Sequence, residues 1–296
     1  MPASTRHALG AWAYRLGWSI VCHVPSRLVE PTTERLADRI WARHGRAVRQ
    51  LEANLARIHP MDDVALRRLS RRAMRSYLRY WTEVFRLPRW TPEQIRDVVI
   101  PHHTDRVKDA LRSGRGVVAA LPHMGNWDLA GAWAVGDGMP LTTVAERLRP
   151  DSLFDDFVRY RRRLGMEVLA LTGGPPPRPV LERRLRDGRF VCLLADRDMS
   201  RHAATVPLLG EPARLPIGPA LLAQCTDALL LPVTTAYDGR HMHLRVHEPV
   251  DVATGAGAIE KATAAVADVF TDAIRRDPAD WHMLQRVFDA DVEAAR

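Results

Sequence analysis

The residues best placed to do chemistry lie in Leu121-Pro122-His123-Met124-Gly125-Asn126-Trp127-Asp128. An imidazole titrates near neutral pH and can take a proton from a hydroxyl. Asn126 suits the N-cap of a helix, which puts Asp128 in its first turn. A reversal over Gly125 would then bring the Asp128 carboxylate to the His123 ring. That carboxylate would hold one ring nitrogen protonated and leave the other free as a base. The same spacing also suits a structural histidine beside an acid at a helix N-terminus, where acids are favoured anyway. No Gly-x-Ser-x-Gly elbow accompanies the pair. Cys22, Cys192 and Cys225 sit in apolar stretches and read as packing residues. A His-Asp pair without a protein nucleophile suits direct transfer of a group to a substrate hydroxyl, with no covalent enzyme intermediate. His241, His243 and His247 alternate on a candidate strand, with His102-His103 elsewhere. Two histidines at such spacing can ligate zinc. No further ligand cluster joins them, so no metal is expected.

Residues 91–296, which must position this pair, alternate strands and helices. The apolar run at 116–121 reads as a buried strand that hands over to a helix at 127–135. Further strands are expected at 141–145, 166–171, 189–195, 229–237 and 241–246. Helices are expected at 151–164, 179–186, 219–226 and 257–276. This alternation predicts the α/β class, with a central, mostly parallel sheet flanked by helices. Ligands of such sheets bind at the carboxyl ends of the strands, where His123 would sit. Ahead of it lies an N-terminal helical region, with helices at 33–58 and 64–87. The second carries the stripe Leu66, Leu69, Ala73, Tyr77, Trp81, Phe85 among Arg68, Arg71, Arg72, Arg75 and Arg79. The whole of 1–296 reads as a single domain, with a basic helical region at 1–90 and an α/β core at 91–296.

The chain has 296 residues, 46% apolar and 26% charged, which excludes a disordered or collagen-like protein. Three cysteines cannot build a disulfide framework, which points to a reducing compartment. No apolar run approaches the ~18 to 20 residues of a membrane span. Arg15 interrupts any signal-peptide core. Residues 1–90 hold 17 Arg against 7 acidic residues, whereas 91–296 hold 26 Lys+Arg against 28 acidic residues. The whole excess of +8 therefore sits in the first third. A basic segment can serve nucleic acid, anionic lipid or a phosphorylated ligand. No RNA-recognition, zinc-finger or homeodomain pattern is present, and no nucleic-acid partner is expected. Trp12 and Trp18, on a short helix apolar on two sides, fit a core or a membrane interface.

The setting His123-x4-Asp128 resembles the H-x4-D motif of glycerolipid-type acyltransferases. It is most similar to the branch that contains lipid A biosynthesis lauroyl/myristoyl acyltransferases and actinobacterial phosphatidylinositol mannoside acyltransferases. Further blocks carry the likeness: Thr143 to Leu148, Tyr160 to Gly165, Leu171 to Gly174, Asp196-Arg197-Asp198, Leu209 to Arg214, Gly218-Pro219, and Asp280 to Gln285. The resemblance implies transfer of a long acyl chain, typically palmitoyl, from acyl-CoA to a mannose hydroxyl of a phosphatidylinositol mannoside. Acyl-CoA would be a co-substrate, and no resident cofactor is implied. His123 would be the general base and Asp128 its orienting partner. Asp196 stands where the family has a Glu that assists the dyad, one methylene shorter. Asp198 would replace it only across a turn, because in a strand both would face one side. Arg161 matches a position that contacts acyl-CoA, and guanidinium groups suit phosphates. Glu146 and Arg147 follow a strand at the same edge as His123. Arg201 and His202 follow the acidic loop and would reach the thioester or CoA. Asp280-Trp281-His282 reads as structural or as part of the rim. The implied location is peripheral, on the cytoplasmic face of the cell membrane, with residues 1–90 on an anionic lipid surface. Another glycolipid acceptor, an acyl carrier protein donor, and a non-enzymatic basic membrane- or nucleic-acid-binding protein are the alternatives. Oligomeric state is left open by the sequence.

Overall fold

The computed structural model describes residues 26–146, 151–198 and 203–293. The expected helix carrying Trp12 and Trp18 lies outside the described residues, as do Arg147, Arg201 and His202.

The described residues form nine strands: β1 (Val99–His102), β2 (Val117–Leu121), β3 (Leu141–Ala145), β4 (Glu167–Ala170), β5 (Phe190–Leu194), β6 (Ala203–Leu208), β7 (Glu211–Pro216), β8 (Leu229–Asp238) and β9 (His241–Val246). Seven form one sheet in the order β1-β9-β8-β2-β5-β3-β4. Every neighbouring pair in it is parallel except β8 and β9. The expected fold class is therefore the observed one. Strand β2 lies at the centre, and all five of its residues are buried. A continuous apolar run suits a strand covered on both faces. Successive side chains point to opposite faces. Accordingly Val118 and Ala120 join one core cluster, and Val117, Ala119 and Leu121 the other.

The N-terminal region differs from expectation at one break. The single helix expected over 33–58 is two, α1 (Ser26–Ala42) and α2 (Arg46–Leu55). His44 at φ +47° turns the chain between them. Helix α3 (Asp63–Arg86) is capped by the Asp62 side chain, which accepts from the Ala65 amide. Its basic face braces the helices. Arg71 and Arg75 each grip Asp38 of α1 with two hydrogen bonds of 2.5–2.9 Å. Those bonds hold the Asp38 carboxyl well below the usual range. Arg67 lies 3.8 Å over the Trp41 ring and bonds Glu52. Arg79 bonds Glu83 at 2.7 Å. These four arginines are engaged within the protein.

Helices α4 (Pro92–Val98) and α5 (Asp105–Arg112) flank β1, and α6 (Trp127–Gly136) follows β2. Helices α7 (Asp151–Arg163), α8 (Arg178–Arg186), α9 (Gly218–Thr226) and α10 (Ala258–Arg276) complete the layers, with α11 (Asp289–Glu293) near the end. Strands β6 and β7 form a separate antiparallel hairpin. No helix of the described residues is long and apolar enough to cross a membrane.

Candidate active site

Strand β2 delivers Pro122 and His123 to the carboxyl end of the sheet. Gly125 then turns the chain at φ +57°. A Cβ there would lie 2.7–2.9 Å from the Thr235 side chain and backbone, so only glycine fits. Asn126 caps α6 by accepting from the Leu129 amide at 2.9 Å, as its place in the sequence predicted. A distant segment pins this loop. Met124 pairs with Trp281 in an antiparallel bridge. The Gly125 amide donates to the Asp280 carbonyl at 2.9 Å, and the His282 amide to the His123 carbonyl at 2.8 Å.

The partner of His123 is not the one expected from spacing. Its Nδ1 lies 2.6 Å from Asp196 Oδ1. Asp196 Oδ2 accepts from the His123 amide at 2.8 Å and from Trp281 Nε1 at 3.0 Å. Asp196 is fully buried. Burial alone would raise its pKa, but the charge interaction with His123 and the three donors hold it below the ordinary value. An ionised carboxylate on Nδ1 keeps the proton on that nitrogen, so Nε2 presents a lone pair.

Asp128 lies in the first turn of α6, as expected, yet both its oxygens are committed elsewhere. Arg161 donates Nε to Oδ1 at 2.6 Å and Nη2 to Oδ2 at 3.0 Å. The Tyr80 hydroxyl donates to Oδ2 at 3.0 Å. The helix directs the Asp128 side chain toward α3 and α7, and the shorter route to His123 comes from the end of β5. Arg161, expected to contact acyl-CoA, gives two of its donors to Asp128 and also lines the cavity over His123. Burial opposes its charge, but Asp128 holds its pKa above the ordinary value. The Tyr80 hydroxyl is pushed well up by burial and by Asp128, and stays neutral.

A cavity of about 660 Å³ opens over His123. Tyr77, Tyr80, Trp81, Trp127 and His282 line one part of it. Exposed Glu146 and Arg178 and half-buried Arg197 line another, and Arg161 also reaches the cavity. A smaller, almost wholly apolar pocket of about 90 Å³ continues beneath it, walled by Ala119, Leu121, Trp133, Met139, Leu141 and Phe190. Asp196 and Arg197 lie in a bend, so Asp198 does not repeat the orientation of Asp196. It sits 4.0 Å from Arg214. His102 and His243 are hydrogen-bonded to each other at 2.8 Å. Among the described residues no group of three or more His, Cys, Asp or Glu side chains is arranged to hold a metal. Cys192 is a half-buried wall residue whose thiol pKa is pushed up by burial, whereas Cys225, expected to pack inside, is exposed.

A model of bacterial lipid A biosynthesis acyltransferases matches residues 3–289. The chain belongs to that acyltransferase family. It is 44% identical to a phosphatidylinositol mannoside acyltransferase of Mycobacterium tuberculosis H37Rv, over 96% of this chain and 90% of that protein. Identity to the protein of the same name from Mycolicibacterium smegmatis is also 44%, over 96% of this chain and 92% of that one. For a lipid A-type acyltransferase the sequence alone understated the terminal block. Trp281 holds the carboxylate that holds the histidine, and His282 lines the cavity. Its signal was an aromatic-histidine pair far from the motif, with nothing in the spacing to say which loop it meets.

Proposed function

We propose that the protein moves a long acyl chain, palmitoyl by preference, from acyl-CoA to a mannose hydroxyl of a phosphatidylinositol mannoside. The observation that carries this reading is the buried Asp196 locked to Nδ1 of a histidine that opens on a large cavity. The reading also draws on the names of the relatives.

In this reaction His123 Nε2 takes the proton of the acceptor hydroxyl as its oxygen attacks the thioester carbonyl. The imidazolium that forms is stabilised by Asp196. The tetrahedral intermediate collapses, the carbon–sulfur bond breaks, and the proton passes from His123 to the departing CoA thiolate. Arg161, held charged by Asp128 and lining the cavity, is the donor suited to the developing oxyanion. Asp128 is thus a positioning residue. Arg178 and Arg197 at the cavity suit the CoA phosphates. The acyl tail follows the apolar wall of the large cavity, along Trp81, Phe157, Leu193 and Leu194. Membrane attachment on the cytoplasmic face falls to α1, where Leu28 and Leu36 are exposed near Arg35 and Arg39. The arginines of α3 are mostly paired and serve this less.

The test is His123→Ala in an assay with palmitoyl-CoA and phosphatidylinositol mannoside. Loss of transfer with the fold intact is expected. Undiminished transfer overturns the mechanism, and transfer by the unaltered protein from acyl carrier protein alone overturns the donor.

A further inference from the structure

Arg245 of β9 is a half-buried guanidinium with no hydrogen-bond or ion-pair partner among the described residues. Burial and the repulsion of Arg276 hold its pKa below the ordinary value, and Asp277 opposes them with the smallest of the three effects. Asp277 is already the partner of Arg276, whose Nε donates to it at 3.1 Å. The amino nitrogens of exposed Arg276 make no hydrogen bond among the described residues. Two guanidinium groups therefore share one carboxylate.

The neighbouring elements add to the charge. In the strand register Arg245 stands opposite Thr234 of β8 and His102 of β1. Partners across an antiparallel pair have Cβ atoms about 4.5–5.5 Å apart. Thr234 Oγ1 lies 2.8 Å from His247 Nε2, so Thr234 links Arg245 to His247. Arg106, in the first turn of α5, donates to the Val246 carbonyl at 2.6 Å and pairs with Glu248, the residues on either side of His247. The Arg106 amide in turn donates to the carbonyl of His103, at the end of β1. His247 is half-buried, and burial together with the charges of Arg276, Arg245, Arg106 and His103 pushes its pKa down to about 4. The ends of β1, β9 and α10 and the start of α5 thus meet in positive charge. Their acids, Glu248 and Asp277, are engaged by Arg106 and Arg276. None of these residues lines the cavity over His123.

We propose that Arg245, Arg276 and His247 form a second anion site, apart from the site of acyl transfer, and that it binds a phosphate monoester group. Arg245 and Arg276 against Asp277 leave one positive charge, and protonation of His247 gives two. A phosphate monoester carries about −1.5 to −2 at neutral pH and offers three acceptor oxygens. Guanidinium groups meet such oxygens in bidentate pairs. A carboxylate or a phosphodiester, with a single charge, would leave the cluster half neutralised. The site stands whichever donor and acceptor the transfer reaction uses.

The test titrates the protein with inorganic phosphate at constant ionic strength, followed by NMR of the histidine rings. Binding is expected with a Kd of about 1 mM. The His247 pKa should rise by about one unit when phosphate is bound, and stay unmoved by phosphate in Arg245→Met. Arg245→Met and Arg276→Met should each weaken binding at least about tenfold. Arg276 is exposed, so its variant keeps the test open should Arg245→Met not fold. Arg112→Met, which removes the same charge from the far end of α5, should stay within about twofold. Equal weakening in all three variants means that net charge alone attracts the anion and overturns the proposal. A second arm separates a lipid headgroup from a soluble phosphate. It uses phosphatidylcholine vesicles containing either phosphatidic acid, a monoester, or phosphatidylglycerol, a diester, in phosphate-free buffer. For a headgroup, Arg276→Met should weaken attachment to phosphatidic acid about tenfold and leave phosphatidylglycerol unchanged. Unchanged attachment to both, with phosphate binding lost, assigns the site to a soluble phosphate. An unaltered protein that neither binds phosphate nor prefers phosphatidic acid overturns the proposal.

Discussion

Asp196→Asn is the sharpest perturbation of this site, because the surrounding donors dictate how the amide must lie. Two N–H groups, the His123 amide and Trp281 Nε1, converge on Oδ2, and the His123 ring alone addresses Oδ1. An asparagine has one oxygen to offer. Turning its NH₂ toward the pair would strand two buried donors, at about 1–3 kcal/mol each. The oxygen therefore takes the Oδ2 place and the NH₂ faces Nδ1. The ring must then accept at Nδ1, which moves its proton to Nε2 and removes the base from the cavity. A tautomer change of this kind in a serine-protease triad lowers kcat by about 10⁴. We expect a kcat loss of about 10³–10⁴, or about 4–5.5 kcal/mol of transition-state stabilisation. The assay is the initial rate of acyl transfer from labelled palmitoyl-CoA, with near-ultraviolet circular dichroism to check the fold. Retention of more than about a tenth of kcat in a folded variant would refute the reasoning.

Three further outcomes follow from the geometry. Asp128→Asn leaves the Arg161 charge buried without a counter-charge and should cost about 3 kcal/mol in denaturant unfolding. Adding Arg161→Met should recover most of that loss, and a single variant as stable as the parent contradicts the pairing. Gly125→Ala should lower stability by at least about 1–3 kcal/mol from backbone strain alone, with activity lost, because the added Cβ meets Thr235. A normal melting temperature in that variant would count against so tight a turn. Arg184, through its hydrogen bonds, together with Thr142, lowers the Glu167 pKa to about 2 against some burial. The folded value lies below the unfolded one of about 4.3, so this stabilisation is present above about pH 4.3 and fades toward pH 2. Glu167→Gln should lose less stability than the parent across that window, read by acid titration of the unfolding midpoint.

Much of this molecule was legible in the sequence where local signals and packing agree. The run at 117–121 is apolar throughout and became the central strand. Asn126 read as a cap and is one. The breaks came where tertiary contacts decide. His44 turns the chain at a positive φ, a conformation histidine adopts more often than most residues but that the helical pattern around it does not announce, so one expected helix is two. Strand β1 is four residues with Pro101 and His102 among them, too short and polar to be read as a strand. At the site, the pairing of His123 with Asp196 joins residues 73 apart in the chain. Spacing favoured the nearer Asp128, because sequence distance shows which side chains share a turn and not which strand ends meet. The arginines of α3 show the same limit. Their composition suggested a lipid surface, while Asp38, Glu52 and Glu83 pair with four of them.

The antiparallel bridge between Met124 and Trp281 has a consequence in time. The complete seven-stranded sheet is encoded before residue 247, and a chain emerging from the ribosome can assemble it early. Trp281 and His282 emerge only after helix α10. Until they dock, the loop lacks its strand-like partner and Asp196 lacks the indole donor. A nascent chain can thus hold a complete sheet and still lack a finished His123–Asp196 pair until the segment that carries Trp281 has emerged and docked.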